Sequence, residues 1–317
     1  MMPHRLSFAF ASIFIGVVAS PNPPVVSHVE GSIRLVGRMR VARVEVFDAS
    51  MNRVVTTGEM DESRIGHSAT RLSDGRVLVL GGYNGGRSGH TATLLNDRTV
   101  LIAGGVGDGW SFLSSAEVYD PRTGRFTPVN SMSVARESQT ATLLSDGRVL
   151  IAGGHRDRRE NIVVYASTEI YDPAQGRFRA GPMLTTARHK HEATALGDGR
   201  VLVVGGSDPR DHVHFTSAEL YDPATNQWTG VSRMRAGRYK LRDTGIRLHD
   251  GRILVAGSGR FAEVFDPRTN AFTPVNGDFG QAYSFASAVL LDDGSALILG
   301  GYDDSMRNSD GIWRFGE

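Results

Sequence analysis

The chain contains no cysteine in 317 residues. That excludes disulfides, thiolate metal ligands and cysteine nucleophiles, so stability must come from packing. Lysine is almost missing: Lys190 and Lys240 are the only two. The other basic side chains are arginines, which favour planar, two-pronged contact with carboxylates. Net charge is scarce as well. With 35 basic and 34 acidic residues the formal charge is +1, which argues against bulk nucleic-acid or membrane-surface binding. The longest apolar run, LSFAFASIFIGVVA, has 14 residues and is too short for a comfortable transmembrane span.

That run follows the basic start MMPHR and reads as an export signal over residues 1–19. Val17 and Ala19 are the small residues ahead of cleavage before Ser20. Pro21, Pro23 and Pro24 then suggest an extended linker over 20–33. Export would place the mature chain in the periplasm or outside the cell, with no membrane-inserted segment left after cleavage. Residues 34–317 read as one domain, for which 40% apolar content is ample.

What the chain has in abundance is repetition. One phrase, an apolar run, a turn usually written Asp-Gly-Arg, a second apolar run and a Gly pair, occurs six times. Examples are ATRLSDGRVLVLGG ending at Gly82 and TATLLSDGRVLIAGG ending at Gly154. The turn aspartates Asp97, Asp146, Asp198, Asp250 and Asp293 are separated by 49, 52, 52 and 43 residues. Periods near 50 mark propellers and other repeat arrays. Asp74 and Asp97 are only 23 apart, so the first unit lacks about half of its repeat.

The missing half is a second phrase, seen as AEVYDPRTGRF, TEIYDPAQGRF, AELYDPATNQW and AEVFDPRTNAF, with a degenerate early copy, VEVFDASMNRV, at 44–54. Each places a second apolar residue seven positions after its Tyr or Phe: Phe47/Val54, Tyr119/Phe126, Tyr171/Phe178, Tyr221/Trp228 and Phe265/Phe272. The Asp-Pro-x-Thr-Gly/Asn stretch between them is a turn: Asp caps it, Pro fixes φ, and Gly or Asn takes the left-handed position. A full unit is therefore two hairpins, or four antiparallel strands.

The Gly pair, the Tyr-Asp-Pro, the aromatic seven residues on, and the Met and Arg before the next unit together resemble kelch repeats of the exported bacterial type, over about residues 44–315. The resemblance implies an all-β kelch β-propeller, here of six blades, with five or seven as alternatives. One blade, the first unit, is expected to be a two-stranded stub. The early hairpin and the last strand, near 312–315, are expected to close the ring within one blade.

Five arginines, Arg64, Arg87, Arg136, Arg188 and Arg238, precede the inner strands of successive units, each about ten residues before the turn. In kelch rings such positions can face the central mouth, so the resemblance implies a cationic collar. The alternative is that each Arg braces a neighbouring blade through backbone carbonyls. His67, His90 and His191 stand three residues after their arginines and join the candidate mouth. On the loops after the Gly pairs, Trp110, Phe112, Tyr165, Phe215 and Tyr302 are candidate platforms for a sugar or a peptide.

No catalytic set is recognisable. Gly81–Gly86 lacks the Lys, Ser/Thr and helix of a phosphate loop, and there is no nucleophile elbow. No metal site and no cofactor are expected. Some kelch-type propellers are copper oxidases resembling galactose oxidase, which need a Cys crosslinked to Tyr that this chain cannot supply. The expected function is a non-catalytic binding module for a protein or glycan, of acidic character if the arginine collar is real, with strand addition at the truncated blade as a further contact. The alternative is a propeller-mouth enzyme such as a sugar epimerase or mutarotase, using His67, His191 and the arginines.

Overall fold

The computed structural model describes residues 67–316, apart from 74, 75, 82–86, 292, 308 and 310, together with four strands nearer the N-terminus. Those four, β1 (Ile13–Val17), β2 (Gly31–Val36), β3 (Arg43–Asp48) and β4 (Arg53–Glu59), form one antiparallel sheet in sequential order. β5 (His67–Arg71) and β6 (Val77–Gly81) form a two-stranded sheet. Next comes a four-stranded sheet of β7 (Thr91–Leu94), β8 (Val100–Ala103), β9 (Ala116–Asp120) and β10 (Arg125–Val129). In the following sheet, β11 (Thr140–Leu143), β12 (Val149–Ala152), β15 (Thr168–Asp172) and β16 (Arg177–Ala180) pair in that order, and a small hairpin lies between β12 and β15 in sequence. Its strands are β13 (His155–Arg156) and β14 (Val163–Val164). β17 (Glu192–Ala195), β18 (Val201–Val204), β19 (Ala218–Asp222) and β20 (Gln227–Gly230) repeat the pattern. So do β21 (Gly245–Arg247), β22 (Ile253–Val255), β23 (Glu263–Asp266) and β24 (Ala271–Pro274). A three-stranded sheet of β25 (Ser287–Leu290), β26 (Ala296–Leu299) and β27 (Ile312–Phe315) ends the chain.

The sheets are radial. Their first strands lie side by side in the order β5, β7, β11, β17, β21, β25, β1. Residues of six of these strands, β5, β7, β11, β17, β21 and β25, surround a central cavity of about 430 Å³. This is the all-β propeller that the repeats imply, and the truncated unit is the two-stranded sheet β5–β6.

The second strands β8, β12, β18 and β26 are buried at every position. A strand covered by sheets on both faces has no solvent side, so it reads as a continuous apolar run. The aromatic pairs seven residues apart are directly opposed across the outer hairpins: Tyr119↔Phe126, Tyr171↔Phe178, Tyr221↔Trp228 and Phe265↔Phe272. Their ring centroids lie 4.7–5.2 Å apart. Each pair packs on the neighbouring sheet. Tyr221, for example, shares a core with Leu144, Leu150 and Ile170 of the sheet before it.

The termini depart from the expected shared blade. β3 pairs with β2, with Val46 opposite Ile33, whereas β27 pairs with β26, with Phe315 opposite Ala296. The two therefore occupy separate sheets. The strand β2 was not legible because no Asp-Gly-Arg turn announces it. β1 falls inside the run read as an export signal, so cleavage before Ser20 would remove it.

Candidate functional site: the channel mouth and the loop face

The arginines are built into the scaffold. Arg136 donates to Gly153 O (2.8 Å), Ser167 O (3.0 Å), Ser167 Oγ (3.1 Å) and Glu169 Oε1 (3.0 Å). Arg188 makes the same set with Gly205 O, Ser217 and Glu219 Oε1, the last at 2.7 Å. Arg238 reaches Gly257 O (2.7 Å), Phe261 O (2.6 Å) and Glu263 Oε2 (3.0 Å). All three side chains are 0% exposed. Burial pulls the three guanidinium pKa values down, and the paired glutamates work against that shift. Arg87 repeats the pattern more openly, with Glu117 at 3.2 Å. The glutamates also accept backbone N–H groups from the incoming loops: Ser133 N to Glu169 and Arg235 N to Glu263.

The collar expectation is thereby corrected for Arg136, Arg188 and Arg238. A guanidinium that is fully buried, with both Nη groups on two carbonyls and a carboxylate, presents no donor to the mouth; the unpaired Nε atoms of Arg136 and Arg188 are themselves buried. Arg64 lies outside the described residues. The Gly pair makes room for this brace. Gly205 has φ +69°, and a Cβ there would sit 2.5 Å from Arg238 O, which only glycine avoids.

The histidines do line the channel, but they are spent on the wall. His90 Nε2 lies 2.7 Å from Ser68 Oγ, and His191 Nε2 lies 3.0 Å from Thr140 Oγ1, each reaching the preceding sheet. They are 1% and 2% exposed. Burial, with the Arg188 and His189 charges beside it, holds His191 well below the usual imidazole range, so it is neutral. The His67 side chain lies outside the described residues. Among the described residues, no group of three or more His, Cys, Asp or Glu is arranged to hold a metal.

Sequence reading missed the charged residues that do intrude on the channel. Four of the arginine-to-turn steps are 10 residues, but Arg238 to Asp250 is 12. The two extra residues correspond to Arg242 and Asp243, the latter left-handed at φ 53°. Both line the cavity. Arg242 Nη2 spans the channel to His90 O at 3.3 Å. Glu192, where other units carry Thr91 and Thr140, accepts from Thr244 N (2.9 Å), Thr244 Oγ1 (3.3 Å) and Ala193 N (3.1 Å). Burial and the nearby Asp243 push its carboxyl up to about 7. The irregular spacing was the available signal.

The loop-face aromatics divide. Tyr165 and Phe215 pack under the braces, 5.2 Å from the Arg136 and 5.8 Å from the Arg188 guanidinium carbon. Tyr302 is buried beside Phe285 and Lys240. Burial opposes the Lys240 charge, but the Tyr302 and Tyr239 hydroxyls hold its pKa above the ordinary value. Trp110 remains open, with Arg158 stacked 4.5 Å above it and 5.4 Å from Phe112. Below Phe112 runs a buried chain: Glu137 to His155 (3.2 Å), His155 to His189 (3.1 Å between Nδ1 atoms), and His189 to Asp211 (3.2 Å). Lys190 closes it on Asp211. Burial works against the Asp211 charge, but hydrogen bonds from His189, Lys190 and Ser207 and the lysine charge hold its pKa well below the carboxylate range.

The Kelch motif matches residues 86–133 and 193–235, stretches that hold the Gly pairs at 104–105 and 205–206 and the Arg87–Glu117 pair. The chain thus carries Kelch motifs, and it is similar to kelch-repeat proteins. It is 28% identical over 107 residues to the F-box/kelch-repeat protein SKIP20 of Arabidopsis thaliana, covering 31% of this chain and 25% of that one. It is 32% identical over 127 residues to Kelch-like protein 36 of Rattus norvegicus, covering 37% and 20%. With the spermatocyte protein spe-26 of Caenorhabditis elegans it shares 26% over 144 residues, 43% and 24% of the two chains. The matched stretches thus span a quarter or less of these relatives. A solved fungal alcohol oxidase of the AA5 family, in complex with copper, superposes with a TM-score of 0.50 at 13% identity, covering 94% of this chain and 71% of the other. That likeness shows the fold alone.

Proposed function

We propose that this kelch propeller is a non-catalytic docking module for a protein partner, which it binds on the face formed by the loops after the Gly pairs. One observation carries this reading. Trp110, Val163, Val213 and Met306, each from a different one of these loops, are 43%, 40%, 56% and 47% exposed. Exposed large apolar side chains gathered on one rim, among polar neighbours such as Arg158 and Asp208, are what a protein interface offers. Sugars dock on aromatic platforms, and of the five loop aromatics only Trp110 is broadly exposed, which favours a protein over a glycan. The names of the kelch relatives, one an F-box protein, fit a module that works by binding.

The test is site-specific photo-crosslinking. A photoreactive residue at Val213 or Met306 should trap a discrete protein in the native source, and the same residue at Gly147, in a turn of another rim, should not. Adding Trp110→Asp should abolish the crosslink while the melting temperature holds. Equal labelling from both rims would sink the proposal. Faster anomer exchange of sialic acids with purified protein, read by NMR, would replace it with the mutarotase reading.

A further inference from the structure

In the intact sheets, the third strand follows a rule of order: small residue, Glu, aliphatic, aromatic. The instances are 116–119, 168–171, 218–221 and 262–265. Register is constant as well. The aromatic faces the first residue of the second strand and the aliphatic faces the next, as in Val149↔Tyr171 and Leu150↔Ile170. The aliphatic residue then covers the aromatic of the following sheet. Val118 shares a core with Tyr171, Ile170 with Tyr221 and Leu220 with Phe265.

The two-stranded sheet breaks this rule. No strand is paired to residues 77–80 on the side of β6 away from β5, among the described residues. Tyr119, on the next sheet, packs with Leu72, Leu78 and Leu80 and, among the described residues, has no third-strand aliphatic over it. Its equivalents Tyr171, Tyr221 and Phe265 are 2%, 0% and 0% exposed, whereas Tyr119 is half-buried. Its partner Phe126 is 46% exposed, while Phe178, Trp228 and Phe272 are half-buried. β10 is open along most of its length. Only nine residues join Gly81 to Thr91, whereas the outer hairpin β9–β10 alone takes 14. The gap is therefore set by chain length, and the connection cannot fill it.

We propose that β6 and the uncovered face of β9–β10 form a groove that receives an extended strand from another polypeptide, one carrying the order small–Glu–aliphatic–aromatic. The guest pairs antiparallel with β6 by backbone hydrogen bonds, and its aliphatic residue covers Tyr119. This is strand addition to a sheet edge, in which the backbone supplies affinity and alternate side chains supply selectivity. The occupant follows from the molecule itself, because three equivalent junctions of the same chain are already filled this way.

The probe is a fluorescent peptide of residues 168–180, TEIYDPAQGRFRA, added to the full chain. It should bind saturably and slow hydrogen exchange of the amides at 77–80. Ile170→Asp in the peptide should weaken binding about tenfold or more, since a buried aliphatic contact is lost. Phe126→Asp in the protein, at an exposed position that leaves folding intact, should weaken it too. Absent binding, or protection elsewhere than β6, overturns the proposal. So does slow exchange at 77–80 in the protein alone that is independent of concentration, since a segment of this chain then fills the edge; protection that grows with concentration supports the proposal and makes a second copy the guest.

Discussion

At the residue scale, the arginines decide how this propeller is held together. Three guanidinium groups are fully enclosed, and each bridges two backbone carbonyls to a glutamate. Breaking such a pair leaves a charge buried without its partner. Arg188→Ala should therefore cost about 3 to 5 kcal/mol in chemical denaturation, and Arg188→Lys should restore little, because an ammonium cannot reproduce the planar fork. An arginine whose task was ligand capture would show almost no stability change. Glu192 sets a second prediction. Its folded pKa of about 7 lies above the ordinary 4.5. The folded state thus binds more protons than the unfolded one between those values, and the group's stabilising contribution fades as pH rises from 4.5 through 7. His191 runs the other way: depressed below 6.5, it contributes above that pH and loses its contribution as pH falls. Melting temperature against pH should show both slopes, and Glu192→Gln should flatten only the decline between 4.5 and 7.

At the element scale, the repeated hairpins are not equivalent, because their value depends on the neighbour. Tyr221 is 0% exposed and donates to Asn226 Oδ1 at 2.9 Å. Removing a fully buried aromatic costs about 3 to 5 kcal/mol. Tyr119 occupies the same repeat position beside the two-stranded sheet and remains half-buried. We expect Tyr119→Ala to cost roughly half as much as Tyr221→Ala, since about half the area is removed from water. Equal losses in urea titrations would mean that the stub's neighbour is covered after all. Here the sequence was a good guide: the spacing of 23 between Asp74 and Asp97 foretold the stub, and the seven-residue aromatic spacing foretold the outer hairpins. It was a poor guide to β2, whose residues GSIRLV alternate weakly and follow no turn signature.

At the scale of the whole molecule, radial packing places six first strands around one cavity and turns the described loops after the Gly pairs to one rim. Export bears on how the ring is completed, because β1 lies next to β25 and within the 19 residues that a signal peptidase would remove. Export predicts a mature chain beginning at Ser20, read by intact mass. A folded, secreted chain that retains residues 13–17 would overturn the cleavage reading and leave β1 in its sheet.

The sequence by itself determined the unit: four strands, their turns, the Gly pair and the aromatic pair, because each is set by local backbone preference and short-range pairing. Only the tertiary structure decided what faced what. Whether Arg188 pointed into the mouth or into the wall, and whether Glu192 met Asp243, depended on residues some 30 to 50 positions away. Strand pairing within one sheet brings Glu219 to Arg188, and the packing of neighbouring sheets brings Asp243 to Glu192; hydrophobic burial carries no local signature of which polar side chain it will enclose.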